Sequence, residues 1–110
     1  MKRITLEDNE IRAVLELKRA LAARFKILDF RVFGSKARGD ASPDSDIDVM
    51  IVVDGYTPEV ENVVSDLVFD INLSHDCFIS TVIFGREELE EGPLSESPLY
   101  KIVEKEGIKM

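Results

Sequence analysis

A chain of 110 residues with 45% hydrophobic and 33% charged side chains is sized for one globular domain around one core, and is not a disordered composition. Its net charge of −8, from 14 basic and 22 acidic residues, excludes the basic footprint of a non-specific nucleic-acid binder, while a bridging cation would still admit a nucleotide. The one cysteine, Cys77, excludes a disulfide framework, and the absence of a signal peptide or an apolar run of membrane-spanning length leads to the expectation of a cytoplasmic protein without membrane contact.

Residues 1–4 are a short basic start. Thr5 reads as a helix N-cap, with Glu7 and Asp8 in the first turn where the helix dipole favours acids. Ile11, Val14, Leu15, Leu21, Ala22 and Phe25 then recur at helical spacing, which predicts a helix over about residues 6–26. Residues 28–33 alternate, with Leu28, Phe30 and Val32 on one face, and predict a strand that ends at Gly34. Residues 35–38 allow one helical turn stopped by Gly39, and Ala41–Ser45 reads as loop.

Residues 46–53 predict a second strand, with Asp46, Asp48, Met50 and Val52 sharing one face. Thr57 followed by Pro58 opens the clearest amphipathic helix, about residues 58–73, with Val60, Val63, Val64, Leu67, Val68 and Ile71 on one side. A turn at Ser74–Asp76 precedes a third strand over residues 77–84, expected at the centre of the sheet because it is apolar throughout. Residues 85–91 are acidic, 92–95 are loop, and Ser97–Pro98 starts a short helix ending at Gly107, after which the tail has the makings of an edge strand. The expected fold is α/β (α+β), a small mixed β-sheet with helices packed on one face, in a single domain over residues 1–110.

The chemistry concentrates between Gly34 and Val49. Residues i and i+2 of a strand point the same way, about 6.5–7 Å apart, so Asp46 and Asp48 can converge on a hard divalent cation such as Mg²⁺. A lone D-x-D is otherwise a solvated strand end. Gly34 lets a phosphate approach the backbone, Ser35 offers a hydroxyl and an N–H, and Lys36 or Arg38 can add charge-assisted contacts. A lone Gly-Ser is otherwise an ordinary turn. Together, G-S-x10-D-x-D fixes four positions and arises by chance in roughly one chain per thousand of this size, which favours a joint site.

The run Gly34-Ser35-Lys36-Ala37-Arg38-Gly39, followed by Ser45-Asp46-Ile47-Asp48-Val49, resembles the signature of the DNA polymerase β-type nucleotidyltransferase superfamily, above all its small stand-alone members, the minimal nucleotidyltransferases. The resemblance implies phosphate binding by Gly34 and Ser35 and metal binding by Asp46 and Asp48. It leaves Arg38 either on a phosphate or tied to Asp40 or Asp44. It implies a third carboxylate on the later strand, as metal ligand and general base, and here the chain departs from the pattern. Ser80 or Thr81 stands where the acid belongs, and Asp76 is the near candidate, with a turn or capping role as its plainer reading.

The resemblance further implies transfer of a nucleoside monophosphate, AMP from ATP, to an acceptor hydroxyl with Mg²⁺ as cofactor. It points to an antitoxin-like enzyme whose acceptor is a HEPN-type toxin partner or a second copy of the chain. Small-molecule acceptors of the aminoglycoside type fit less well, because such enzymes carry an extra helical domain. The alternative is a nucleotide- or protein-binding module that has lost catalysis with the third acid. His75 reads as a surface histidine, Cys77 as a small buried hydrophobe, and Glu87, Glu88, Glu90 and Glu91 as a solvated face. Tyr100 reads as packing or as a hydroxyl able to accept a nucleotidyl group.

Overall fold

Strands β1 (Ile27–Phe33), β2 (Ile47–Val53), β3 (Ile79–Gly85) and β4 (Ile108–Lys109) form one sheet in the order β3-β2-β1-β4. β1 pairs antiparallel with β2 and β4, while β2 pairs in parallel with β3. The computed structural model describes residues 6–40, 42, 45–92 and 96–110. The basic start, the Thr5 cap, Asp44 as a partner for Arg38, and parts of the two expected loops (Ala41, Pro43 and residues 93–95) lie outside the described residues.

The helices are α1 (Asp8–Ala22), α2 (Ser35–Arg38), α3 (Pro58–His75), α4 (Arg86–Glu91) and α5 (Pro98–Glu106). α1 begins at a capping box in which the Glu7 N–H donates to Glu10 Oε1 at 2.9 Å. It ends four residues before the sequence suggests, because the N–H groups of Arg24 and Phe25 both return to the Leu21 carbonyl and turn the chain into β1. α3 starts as expected, with Thr57 Oγ1 accepting from the Val60 N–H at 3.3 Å and Pro58 in its first turn. It runs on through His75, so Ser74 and His75 are its last helical residues and not a turn.

Ala13, Val14, Leu17 and Leu21 of α1 and Val60, Val64 and Ile71 of α3 bury one face of the sheet, against Phe30, Val32, Ile47, Val49, Ile51 and Val53. Each of these side chains larger than alanine contributes roughly 1.5–3 kcal/mol on leaving water. The two long helices thus share one face, as expected. The short α5 covers part of the other, where Met50, Val52, Phe84 and Val103 form a second, smaller cluster.

Two expectations are corrected. A register shift between Ile27 and Asp29 turns Leu28 out of the core and seats Ile27 against it instead. β3 is an edge strand, not a central one: among the described residues it pairs with β2 alone. Its apolar run arises because its two faces join different clusters, Ile79 and Ile83 under α1 and α3, Val82 and Phe84 with α5. Among the described residues no helix is long and apolar enough to cross a membrane.

Candidate nucleotide and metal site

The chain leaves β1 through Gly34, whose φ of 75° and ψ of −156° suit only glycine. The Gly34 carbonyl accepts the N–H groups of Ala37 at 3.1 Å and Arg38 at 3.0 Å, which winds the single turn of α2. Gly39, at φ 83°, closes that turn by donating its N–H to the Ser35 carbonyl at 3.0 Å. Ser35 is partly buried at the start of α2.

Asp48 lies one strand over, in register with Phe33 of β1 and with Ser80 of β3. A Cβ built on Gly34 would stand 2.5 Å from Asp48 Oδ2. The carboxylate therefore occupies the space that glycine leaves empty, and the turn and the strand meet in one site. Asp48 is half-buried and Asp46, two residues before it, is exposed. Strand alternation places both on the face that carries Met50 and Val52. Burial, and then the neighbouring Asp46 charge, push the Asp48 carboxyl above its ordinary range, while Arg38 pulls it partly back.

Two carboxylates on one face, one of them raised by the other's charge, fit a hard divalent cation in part. Mg²⁺ is commonly held by one or two carboxylates, with waters and substrate phosphates filling the other positions. Among the described residues no group of three His, Cys, Asp or Glu side chains converges. Ser80 stands directly opposite Asp48 across the parallel ladder, where a third carboxylate would complete the set.

Asp76 is not brought to this place. It caps α3 in the left-handed conformation at φ 52°, and its carbonyl takes a long 3.4 Å hydrogen bond from Asn9 of α1, on the sheet's other side. The Asp76 backbone thus closes α3, its plainer turn or capping reading, and among the described residues no third acidic side chain gathers with Asp46 and Asp48. Lys36 is also redirected. Lys36 is only 2% exposed, and Nζ lies 3.3 Å from Glu10 Oε1 and Oε2, so its ammonium anchors α2 to α1. Arg38 remains exposed beside Asp48, with Nε 3.3 Å from Asp40 Oδ2 and Nη1 3.7 Å from Glu106 Oε2.

Among the weaker signals, His75 Nε2 lies 2.5 Å from Glu16 Oε2. Cys77 is buried, and burial pushes its thiol up, so it stays an uncharged hydrophobe. Tyr100 packs edge-on against Phe84 with ring centroids 5.6 Å apart, and burial raises its phenol. Glu87, Glu88, Glu90 and Glu91 are all exposed on α4.

Two residues around the Gly34 turn and the carboxylate edge escape sequence reasoning. Glu10 reads as one more surface acid of an amphipathic helix, and only the fold pairs it with Lys36. Phe78 reads as a strand interior, yet its side chain is 69% exposed next to the carboxylate edge. The alternation of buried Cys77, exposed Phe78, buried Ile79 and exposed Ser80 is the signal a two-residue period would have given.

The profile of the nucleotidyltransferase domain family matches residues 14–109. The chain is also 42% identical over 52 residues to the protein adenylyltransferase MntA of Thermococcus cleftensis. The aligned stretch covers 46% of this chain and 50% of that protein, so the chain spans about half the length of this relative.

Proposed function

The chain belongs to the nucleotidyltransferase domain family, and from that premise we propose that residues 1–110 form one domain that transfers AMP from ATP to a hydroxyl of a partner protein. The observation that carries this reading is the contact between the Gly34 turn and Asp48, which unites a phosphate-facing turn with the carboxylate pair. Gly34 and Ser35 would hold the phosphate chain. Asp46 and Asp48 would hold Mg²⁺, which when bound neutralises phosphate charge and favours in-line displacement at the α-phosphorus. The acceptor oxygen forms the new bond to that phosphorus, the bond to the leaving pyrophosphate breaks, and the hydroxyl proton passes to solvent or base.

The Thermococcus relative is named for adenylyl transfer to protein, which supports ATP as donor and a protein as acceptor. A helical toxin of the HEPN type, in a cytoplasmic toxin–antitoxin pair, is the partner this reading favours. A second copy of the chain is the other acceptor to test.

The register of Ser80 opposite Asp48 favours a second reading, a nucleotide-binding or protein-binding module with little or no catalysis. The experiment incubates the protein with α-labelled ATP, Mg²⁺ and a co-purifying partner, beside Asp46→Asn and Ser80→Asp. Label on the partner that disappears in Asp46→Asn supports the transferase. A gain in label with Ser80→Asp would assign the missing acid as the limit on rate. No label in any sample, with partner binding unchanged by Asp46→Asn, would leave the module reading.

A further inference from the structure

Phe78 is a large aromatic side chain that the fold leaves bare beside the carboxylates. Its ring is 69% exposed between buried Cys77 and buried Ile79. The backbone beneath it is fixed. The Phe78 carbonyl accepts the Ile47 N–H at 2.8 Å, and the next N–H, that of Ile79, is held by Asn72 Oδ1 at 2.8 Å. The ring is thus presented from a pinned strand entrance and not from a mobile tip.

Its position follows from the ladder. Ile47 pairs with Ile79 and Asp48 with Ser80. Continuing that register one residue back, beyond the strand ends but through the Ile47 N–H to Phe78 carbonyl bond, sets Asp46 beside Phe78 at the usual strand spacing of about 4.8 Å, on the face of Asp48 and Ser80. Of the other exposed apolar side chains in this part of the chain, Phe69 and Leu73 stand on α3, which covers the opposite face of the sheet, and Leu99 and Ile102 stand on α5. The ladder register, and not exposure alone, is what sets Phe78 beside Asp46.

β1 and β3 flank β2 on opposite sides. Gly34 and Ser35 follow β1, and Phe78 precedes β3. A triphosphate laid over the Gly-Ser turn, with its α-phosphate at Asp46 and Asp48, directs its nucleoside end across β2 toward β3. We propose that Phe78 is the platform on which the base of the bound nucleoside triphosphate stacks, so that it sets the preference for a nucleotide over a bare phosphate chain. The proposal rests on the nucleotide reading above. A ring face recognises every base alike, so Phe78 contributes affinity without choosing among bases.

The chain has no tryptophan, so Phe78→Trp introduces a single indole reporter. Titration of that variant with Mg²⁺ and ATP is expected to quench its emission, whereas inorganic triphosphate is expected to bind without quenching. Calorimetry of Phe78→Ala is expected to show ATP binding weakened about tenfold or more, with inorganic triphosphate unchanged. Phe78 is exposed, so neither substitution disturbs the core. ATP binding that survives Phe78→Ala undiminished, or ATP that binds Phe78→Trp without quenching it, overturns this inference alone. Phe78→Ala that keeps ATP but loses a co-purifying protein also overturns it, and assigns the ring to a protein contact. Absence of ATP binding by the unsubstituted protein overturns the nucleotide reading and this inference together.

Discussion

Two pairs of charged side chains flank the Gly34 turn, one on each face of the sheet, and they are built in opposite ways. Glu10 and Lys36 carry opposite charges, are 7% and 2% exposed, and satisfy each other at 3.3 Å under the α1 side. Asp46 and Asp48 carry the same charge on the far side, and the exposed guanidinium of Arg38 draws the Asp48 carboxyl partly back toward its ordinary range. The first pair is complete within the molecule and fixes where α2 sits. The second is a like-charged pair, whose mutual repulsion a bound cation would relieve. The chemistry proposed for this protein uses the second pair.

The largest expected effect breaks the finished pair. Lys36→Met leaves the Glu10 carboxylate buried without its main counter-charge, at an expected cost of about 3–5 kcal/mol in urea unfolding. Lys36→Met combined with Glu10→Leu is expected to recover part of that loss, because an apolar pair replaces a buried ion pair at little penalty while the Glu7 N–H loses its capping acceptor. A single-variant loss no larger than a surface substitution would sink the contrast between the two sides.

A middle-sized effect is expected at the hinge between them. Gly34→Ala forces a side chain into φ 75° and into the space of Asp48 Oδ2. The strain costs about 1–3 kcal/mol. Thermal melts with and without Mg²⁺ are expected to show in addition that the cation no longer stabilises the variant, because the displaced carboxylate cannot share it.

The smallest effect has the opposite sign. Burial and Asp46 raise the Asp48 carboxyl, so the folded chain holds that proton more tightly than the unfolded one. Its contribution to stability is full below the unfolded value and is lost as pH rises through the higher folded one. In EDTA at neutral pH, Asp48→Asn is therefore expected to be at least as stable as the parent and to lose that segment of the pH dependence. Asp48→Asn that melts well below the parent in EDTA would show that the carboxylate already has an internal partner.

Much of this was legible from local pattern. The spacing of Val60, Val64, Leu67 and Ile71 gave α3, and the alternation of Ile47 to Val53 gave β2 with both aspartates on one side. The glycine at the turn and D-x-D on the next strand announce themselves because their chemistry depends on residues close in sequence. What stayed hidden depends on distant partners. Lys36 looks like a phosphate ligand until α1 brings Glu10 against it from 26 residues away. The edge position of β3 is a matter of which strand β2 pairs with, and an apolar run is the same whether its two faces meet one core or two. Leu28 left the core through a register shift that no periodicity encodes.

The contact of Gly34 with Asp48 also bears on how the molecule comes together in time. It joins residues 14 apart through two consecutive antiparallel strands, whereas Asp48 and Ser80 lie 32 apart and meet only after α3 has crossed the sheet. Closing the longer span costs about 0.7 kcal/mol more in chain entropy, before the ordering of the crossover helix is added. A chain made only as far as Val53 already holds the turn and both carboxylates. The hairpin half of the site is the local, early half, and the strand edge that carries Phe78 and Ser80 is what later folding adds to it.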